Sequence, residues 1–288
     1  MISIIICSRN EDISNELKLN IQSTIGIDYE LIVIDNSKNK YSIFSAYNKG
    51  VKEAKYSFLC FMHEDVLYHT NDWGKKVISH LTNPKVGIIG VAGGHLMPNC
   101  PAGWFSSDLS TINIIQSHYE NGIKTTYHDK KFEYSDSVTN EVVAVDGVWF
   151  CMPKFLFSTI SFDEKNFEGF HCYDLDICLQ VRSTGNIVLV VSDILLEHFS
   201  GGNTNQEWIE NSIILHNKWK LLLPQVAGIK LTPAEIKSRE KFVSEIFYLT
   251  IDLYKKQSEI AILRHSNAFR LGNIILSPFS ALRNVFLK

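Results

Sequence analysis

Short apolar runs alternate with segments of helical spacing through the first part of the chain. Residues 2–6, 29–34 and 58–62 are apolar runs bounded by polar residues, which is typical of strands buried on both faces. Between them, residues 14–23 and 43–54 place apolar side chains at helical spacing. Strands that alternate with helices predict a parallel sheet with right-handed crossovers, and therefore an α/β fold.

Polar residues follow each of these three predicted strands. They are Ser-Arg-Asn at 8–10, Asp-Asn at 35–36 and Glu-Asp at 64–65. Because ligands of open α/β sheets bind beyond the carboxyl ends of the strands, three such endings predict a binding cleft. The carboxylates of Glu64 and Asp65 suit Mg²⁺ or Mn²⁺, and such an ion suits a phosphate-bearing ligand. An acidic pair met in isolation would more simply be a solvated strand end.

Further strands and helices follow along the chain. The sequence predicts a helix at 72–81, a strand at 86–91, a long loop at 93–113, a strand excursion at 112–134 and a strand at 142–150 that Asp146 and Gly147 interrupt. A helix through 175–182 ends at Gly185 and has Asp174 in its first turn, where the helix dipole favours a carboxylate. A strand is expected at 187–191.

The last part of the chain is predicted to be helical. One helix at 206–223 stops before a proline, and another begins at the capping box of 232–235 and extends to about residue 264. We therefore expect two domains, at 1–224 and 225–288. The tail at 264–288 is amphipathic and basic, with no Asp or Glu. It suits the surface of an anionic membrane, and it equally suits packing on the first domain or on a second subunit of a homodimer.

Composition narrows the classes of function. The chain has 288 residues, 45% of them hydrophobic, and a net charge of −3, so it is globular and has no basic field for nucleic acid. Six cysteines without a CxxC pair, and no secretory leader, indicate a reduced, cytoplasmic protein. No apolar stretch is long enough to cross a bilayer. The absence of GxGxxG and of GxxxxGKS or GxxxxGKT disfavours a usual dinucleotide fold and a P-loop, so a metal and side chains would hold any phosphates.

Five segments together resemble a known family. They are residues 3–10, which give the opening strand and loop, 31–37, 46–50, the metal motif at 61–66, and 173–176 followed by Arg182, Gly185 and His198. Their order and spacing resemble the family 2 glycosyltransferases, whose fold is called GT-A, and in particular the bacterial polysaccharide-type members. The resemblance covers roughly the first 200 residues. It implies a mostly parallel central sheet flanked by helices, followed here by a C-terminal helical extension.

The resemblance also implies an activity and a site. It implies an inverting, metal-dependent enzyme that moves one sugar from a nucleotide-diphosphate sugar, in the first instance a UDP-sugar, to an acceptor hydroxyl. The acceptor would be a glycan, a lipid-linked molecule or a protein, in bacterial surface-glycan synthesis in the cytoplasm or at the inner face of the membrane. Asp65 and His198 would hold Mn²⁺ or Mg²⁺, and Asp174 would be the general base. The donor contacts would be Ser8, Asn10, Asp35, Asn48, Glu64 and Asp65.

The chain departs from the family in two motifs and lacks a third. His63-Glu64-Asp65 stands where the family has Asp-x-Asp. Because His63 replaces the first acid, the residue that would make the usual ribose contact is left open, and Glu64 is a candidate to share that contact. Tyr173-Asp174 stands where the family has Glu-Asp, so the base is retained. There is no Gln-x-x-Arg-Trp, the signature of processive synthases, so one sugar is expected per encounter.

Two other functions stay open at this point. A sugar nucleotidyltransferase would need a glycine-rich loop with Arg and Lys after the first strand, and residues 7–11 are not such a loop. A non-catalytic module that binds a nucleotide sugar or a glycan is kept open by His63, although such a module needs no base. Trp104 and Phe105 would either stack on a sugar or anchor a loop, and Asp146 is a candidate on the acceptor side.

Overall fold

The computed structural model describes residues 1–120, 123–132, 137–202, 204–266, 269 and 271. It contains two compact units, Met1–Ser244 and Glu245–Lys288. One helix, Pro233–His265, contributes residues to both units. The expected domains at 1–224 and 225–288 stay a prediction, and the tail beyond residue 271 lies outside the described residues.

The described residues form the following strands and helices. The strands are β1 (Ile2–Ser8), β2 (Tyr29–Asp35), β3 (Phe58–Met62), β4 (Val66–Tyr68), β5 (Val86–Gly90), β6 (Ala92–Gly94), β7 (Leu96–Met97), β8 (Ser110–Glu120), β9 (Ile123–Lys131), β10 (Thr139–Val142), β11 (Ala144–Val145), β12 (Trp149–Pro153), β13 (Ile187–Val191), β14 (Leu196–His198) and β15 (Gln225–Val226). The helices are α1 (Asn15–Thr24), α2 (Ile43–Glu53), α3 (Trp73–Leu81), α4 (Tyr173–Ser183), α5 (Gln206–Trp219) and α6 (Pro233–His265), with a 3₁₀ turn at Lys154–Ser158.

A seven-stranded sheet forms the centre of the fold, in the order β10-β13-β5-β12-β3-β1-β2. Strand β1 pairs in parallel with both β2 and β3, and β13 pairs in parallel with β5. Among the described strands of this sheet, β12 and β10 are the two that run antiparallel to their neighbours. The register places Ser8 opposite Asp35 at the carboxyl edge. The predicted mostly parallel sheet is therefore confirmed.

Alternating side chains of β1 explain why helices cover both faces of the sheet. Ile5 belongs to one buried cluster, which also contains Phe44 and Tyr47 of α2. Ile4 and Ile6 belong to the cluster on the opposite face, together with buried residues of α1. Because successive strand residues point to opposite faces, a continuous run of isoleucines requires a cover on each side.

The second sheet corrects one prediction. Its order is β11-β6-β8-β14-β4, with β9 paired to β8. Residues 142–150 were expected to be a single interrupted strand, but they belong to β10, β11 and β12, which alternate between the two sheets. The crossing at Asp146 and Gly147 is tight, because a Cβ on Gly147 would lie 2.2 Å from the hydroxyl oxygen of Tyr173. The strand excursion was correctly predicted as β8 and β9, while residues 121 and 122 of its turn lie outside the described residues.

Helix boundaries follow local hydrogen bonds. Ser14 caps α1 by accepting a bond from the Leu17 N–H at 3.1 Å. The predicted capping box of α6 is confirmed, since Glu235 accepts from the Thr232 N–H at 2.7 Å and donates its own N–H to the Thr232 hydroxyl at 3.3 Å. Helix α5 ends at Trp219, four residues earlier than expected. Among the described residues, no helix is both long enough and apolar enough to span a membrane.

Candidate active site

A cleft of about 1210 Å³ opens at the carboxyl edge of β1, β2 and β3. Arg9, Asn36, Glu64 and Asp65, which follow these three strands, all line it. The expectation that the polar strand endings share one cleft is therefore confirmed. The opposite wall comes from the β11–β12 crossing, the start of α4 and the segment after β14.

Three side chains in the cleft form a group able to hold a metal ion. The Oδ1 atom of Asp65 lies 3.8 Å from Nδ1 of His63 and 3.6 Å from Nε2 of His198. One ligand atom from each residue lies within 4.8 Å of the other two. His198 reaches this position because β14 pairs with β4, which places it opposite Val66. The sequence identified Asp65 and His198 for this group, but it assigned no role to His63.

His63 is held by a residue far away in the sequence. The Tyr173 hydroxyl donates to the Gly147 carbonyl at 2.9 Å, so its oxygen is left to accept a bond from Nε2 of His63 at 3.0 Å. We therefore assign the His63 proton to Nε2, which leaves the lone pair of Nδ1 toward Asp65. Burial lowers the pKa of His63, against the opposing effect of Asp65, and this favours the neutral ring that a metal ligand requires.

Glu64 organises the loop that follows β1. Its carboxylate accepts a hydrogen bond from the Ser8 hydroxyl and another from the Arg9 N–H at 2.9 Å. The Ser8 oxygen in turn accepts the Asn10 N–H at 3.0 Å. Glu64 and Arg9 line the cleft, whereas Ser8 is fully buried and does not. The Ser8 hydroxyl therefore holds the Glu64 carboxylate in position from within the protein interior.

Asp35 and Asn48 lie farther from the centre of the site. Asp35 ends β2, is exposed, and accepts the Ser37 N–H at 2.9 Å, while the next residue, Asn36, lines the cleft. Hydrogen bonds from Ser37 lower the pKa of Asp35. Asn48 bonds to the backbone of Phe162 with both its amide nitrogen (2.8 Å) and its amide oxygen (3.1 Å). Both polar atoms of Asn48 therefore tie α2 to the loop before α4, and Asn48 is not among the residues that line the cleft.

Asp174 lies in the first turn of α4 and lines the same cleft. Its two carboxylate oxygens accept the Gly147 N–H and its neighbour Leu175's N–H, each at 2.9 Å. Burial, and then the negative charge of Asp146, raise the pKa of Asp174 from 3.8 to about 7. A carboxylate with a pKa near neutrality accepts a proton far better than an ordinary aspartate, which is what a general base requires.

An aromatic wall formed by Trp104, Phe105 and Trp208 lies beside Asp146, the acidic neighbour of Asp174. The Trp104 indole N–H donates to Asp146 at 2.9 Å, and the Trp104 ring meets Phe105 edge-on at 5.7 Å between centroids. Phe105 stacks on Trp208, with centroids 6.3 Å apart. All of these residues line the cleft. The sequence suggested Trp104, Phe105 and Asp146, but not Trp208, which carried no signal beyond its place on an amphipathic helix.

Two buried acids near the site, Glu197 and Asp176, make hydrogen bonds with a structural role. Glu197 precedes His198 and accepts from Ser117 at 2.6 Å, from Lys124 at 2.7 Å and from His69 at 2.9 Å. These bonds outweigh the effect of burial and lower the pKa of Glu197 to about 2. Asp176 is bonded in a similar way, to three side chains: Gln180, Lys218 and Trp219.

Comparison with known proteins places this chain in a family. Residues 3–219 match the glycosyltransferase-like family, which is three quarters of the chain. The streptomycin biosynthesis protein StrF of Streptomyces griseus is 26% identical over 195 residues. That alignment covers 65% of this chain and 64% of StrF, so the match spans under two thirds of its relative.

Solved structures agree at the level of the fold. The S. aureus TarS 1–349 structure in complex with UDP is 13% identical to this chain, with a TM-score of 0.51 over 86% of this chain and 72% of TarS. A second TarS 1–349 structure gives a TM-score of 0.50 over 84% of this chain and 70% of TarS, also at 13% identity. At this identity the likeness concerns the fold, which agrees with the predicted GT-A architecture. On the family match over residues 3–219, the chain belongs to the glycosyltransferase-like family and has a GT-A fold.

Proposed function

We propose that the protein is an inverting, metal-dependent glycosyltransferase that moves one sugar from a nucleotide-diphosphate sugar to an acceptor hydroxyl. The observation that carries the proposal is that one cleft contains both the His63–Asp65–His198 group and Asp174, a carboxylate whose pKa is raised to about 7. A metal-binding group suits the diphosphate of a donor, and a base suits the hydroxyl of an acceptor. A module that only binds a nucleotide sugar would have no use for a general base.

The residues of the metal group fit a divalent cation. Two imidazole nitrogens and one carboxylate oxygen are ligands that Mn²⁺ accepts, and Mg²⁺ is the alternative where oxygen ligands dominate. Burial lowers the pKa of His63, which favours the neutral ring, and its Nε2 is hydrogen-bonded to Tyr173. A histidine that binds a metal normally has such a partner on its second nitrogen. A bound cation would neutralise the charge that develops on the leaving nucleoside diphosphate.

The donor half of the cleft is the proposed nucleotide site. Arg9, Asn36 and Glu64 line it at the ends of β1, β2 and β3, with Asp35 beside Asn36. We assign the base and ribose contacts to this edge, with Ser8 and Asn10 acting through the loop that Glu64 holds. UDP is the proposed nucleotide, because TarS has this fold and its complex contains UDP.

The acceptor half of the cleft contains Asp174, Asp146 and the aromatic wall. Asp174 would take the proton from the attacking hydroxyl, and a single base on the face opposite the leaving group produces inversion. Burial and then the charge of Asp146 raise the pKa of Asp174, and the Trp104 N–H donates a hydrogen bond to Asp146. Trp104 and Phe105 offer ring faces on which the apolar side of a sugar packs. We propose a saccharide-bearing acceptor, whether free glycan, lipid-linked or protein-linked, as in bacterial surface-glycan synthesis.

The first experiment is a thermal-shift series with UDP, GDP and other nucleoside diphosphates, each with and without Mn²⁺. A ligand that binds the folded state raises the melting temperature by mass action. We expect a nucleotide to stabilise the wild type only when Mn²⁺ is present, and Asp65→Asn and His63→Gln to remove the effect. His80→Gln is the matched control, because His80 pairs with Asp193 at 3.0 Å and does not line the cleft.

A second experiment separates transfer from binding. Asp174→Asn is expected to keep the Mn²⁺-dependent nucleotide shift and to lose sugar transfer and donor hydrolysis. If no nucleotide shifts the melting temperature under any metal condition, the donor site is wrongly assigned. If nucleotide sugars bind but neither transfer nor hydrolysis occurs with the wild type, the protein is a non-catalytic nucleotide-sugar-binding module instead.

A further inference from the structure

Helix α6 carries a long apolar stripe on its exposed surface. The members of this stripe each keep between 48% and 64% of their surface exposed, and they are Phe242, Ile246, Leu249, Leu253, Ile260 and Leu263. A different face of the same helix contains Val243 and Phe247, both of which are buried. Single exposed leucines are ordinary, but a contiguous stripe of large apolar side chains marks an interaction surface.

The spacing of the stripe identifies the kind of partner. Successive members lie four and three residues apart in alternation, and Lys256 is the one polar residue that fills a place in this series. An average step of 3.5 residues is the period of a left-handed coiled coil, in which the stripe keeps facing a second helix. A helix packed on a globular core normally has a wider stripe with a period of 3.6 residues.

We propose that residues 242–263 form a parallel two-stranded coiled coil with the same helix of a second copy of this chain. In heptad notation, Ile246, Leu253 and Ile260 occupy the a positions, and Leu249 and Leu263 occupy d positions. Two of the three a positions are therefore isoleucine and two of the four d positions are leucine, the other d residues being Phe242 and Lys256. Isoleucine at a combined with leucine at d favours two parallel strands over higher oligomers. The proposal concerns assembly and does not depend on the proposed catalytic function.

Charges beside the stripe favour the parallel arrangement. The g positions contain three acids, Glu245, Asp252 and Glu259, whereas the corresponding e positions contain none. A parallel pair places each g residue opposite the e residue five positions later in the other copy, so Glu259 meets Arg264. An antiparallel pair would bring the two acidic g rows together, and like charges in contact are unfavourable.

Lys256 is compatible with this seam and helps to define it. Asp252 and Glu259 lie four residues before it and three residues after it, on the same helix face, so both can neutralise its ammonium group. The long methylene stem of lysine can cover apolar surface while its charged end remains in water. One polar residue in an otherwise apolar seam also disfavours shifted registers, in which it would face a leucine.

An anionic membrane surface is a poorer match for the stripe. Amphipathic helices that lie on such membranes are flanked by Lys and Arg. Here the stripe is flanked on one side by Glu245, Asp252 and Glu259. A second copy, with its own identical stripe, therefore fits the observed charges better.

The test is the molar mass of the full-length protein in solution, measured by light scattering after size exclusion over a range of concentrations. We expect twice the chain mass of 32.8 kDa for the wild type. Leu249→Glu places a charge in the seam and is expected to weaken the dimer by about tenfold or more. Tyr248→Glu is the matched control, because Tyr248 is adjacent and is also 64% exposed, but lies outside the seam. Circular dichroism confirms that each variant keeps its helix content.

A cross-linking experiment tests the orientation. Leu253→Cys places a thiol at an a position, where a parallel pair brings it next to its own copy, so an oxidant should give a disulfide-linked dimer that Tyr248→Cys does not give. A monomeric wild type, or equal effects of Leu249→Glu and Tyr248→Glu, would overturn the proposal. So would a monomer that binds vesicles of phosphatidylcholine and phosphatidylglycerol and loses that binding in Leu249→Glu, because the stripe would then be a membrane surface.

Discussion

Replacing Asp174 with asparagine should remove activity and at the same time stabilise the protein. The pKa of Asp174 is raised from 3.8 to about 7, chiefly by burial and next by the charge of Asp146. The folded protein therefore holds this proton more tightly than the unfolded chain does, and ionisation of Asp174 disfavours the folded state. The same raised pKa makes the carboxylate an effective base, and loss of a general base typically costs about 10²- to 10⁴-fold in rate.

The size of the stabilisation follows from the two pKa values. The difference between 3.8 and about 7 corresponds to about 4 kcal/mol at neutral pH, which is an upper bound. An asparagine oxygen replaces only one of the two carboxylate oxygens that accept the N–H groups of Gly147 and Leu175. Losing one of these bonds costs about 1–2 kcal/mol, so we expect a net gain of about 2 kcal/mol in the free energy of unfolding.

The sign of the pH dependence separates this prediction from a general effect of the substitution. Below pH 3.8 the carboxyl is protonated in both states and contributes nothing, and the penalty grows from there to about pH 7. The wild type should therefore lose stability relative to Asp174→Asn as the pH rises from 5 to 8. Because only about a tenth of Asp174 is ionised at pH 6, kcat/KM there should be about a tenth of its plateau value.

Urea unfolding at several pH values measures the free energies directly. Asp176→Asn is a suitable control, because Asp176 is 1% exposed but bonded to Lys218 and Trp219, so its substitution should destabilise. The charge of Asp174 also acts on four neighbouring groups, and burial raises the pKa of each, so they stay neutral over this range: Tyr47, Tyr173, Cys172 and Cys178. A stability difference between wild type and Asp174→Asn that is equal at pH 5 and pH 8 would refute the reasoning, as would a variant with nearly full activity.

Three further predictions follow from single contacts. Glu197→Gln should cost about 2 kcal/mol in unfolding free energy at pH 7, and the loss should vanish as the pH falls from 4.5 toward 2. The reason is that hydrogen bonds from Lys124, Ser117 and His69 outweigh burial and lower the pKa of Glu197 to about 2. The cost is reduced for solvent screening because Lys124 is 39% exposed, and urea unfolding at pH 7 and pH 3 checks the prediction. Asp146→Asn should move the acid limb of kcat/KM to lower pH by about one unit, since it removes a negative charge beside the base; an unmoved limb would exclude that coupling. In a double-mutant cycle, His63→Gln and Tyr173→Phe should weaken Mn²⁺ binding non-additively, as measured by calorimetry, whereas additive losses would mean that the tyrosine does not act through His63.

Much of the sheet and of the cleft was predictable because strand periodicity is a local property. The β1 run of isoleucines predicts burial on both faces, and the polar endings at 8–10, 35–36 and 64–65 predict where the cleft lies. The division of residues 142–150 between two sheets was not predictable in this way. It depends on Gly147 passing against Tyr173, a contact between elements that no window of neighbouring residues contains.

The same limit explains the residues that the sequence left out. Trp208 joins Phe105 only because α5 folds back over the cleft, and 103 positions separate the two rings in the chain. Asn48 illustrates the reverse case. Its place in a family-like segment suggested a donor contact. In the structure, both the nitrogen and the oxygen of its side-chain amide are hydrogen-bonded to the backbone of Phe162, which gives Asn48 a structural role. A motif match fixes the position of a residue along the chain, but the packing around its side chain decides what it touches.

The two residues that depart from the motifs of the resembled family are in direct contact. Histidine replaces the first acid of Asp-x-Asp at residue 63, and tyrosine replaces the glutamate of Glu-Asp at residue 173, yet the structure bonds these two side chains directly at 3.0 Å. The Tyr173 hydroxyl also donates to the Gly147 carbonyl, and the N–H of Gly147 donates to Asp174. Hydrogen bonds to the two backbone polar groups of Gly147 thus connect the His63–Asp65–His198 group to Asp174. In this chain the residues at the two positions therefore support each other, and the arrangement keeps both His63 and Asp174 on the cleft that the two halves of the proposed transfer reaction would share.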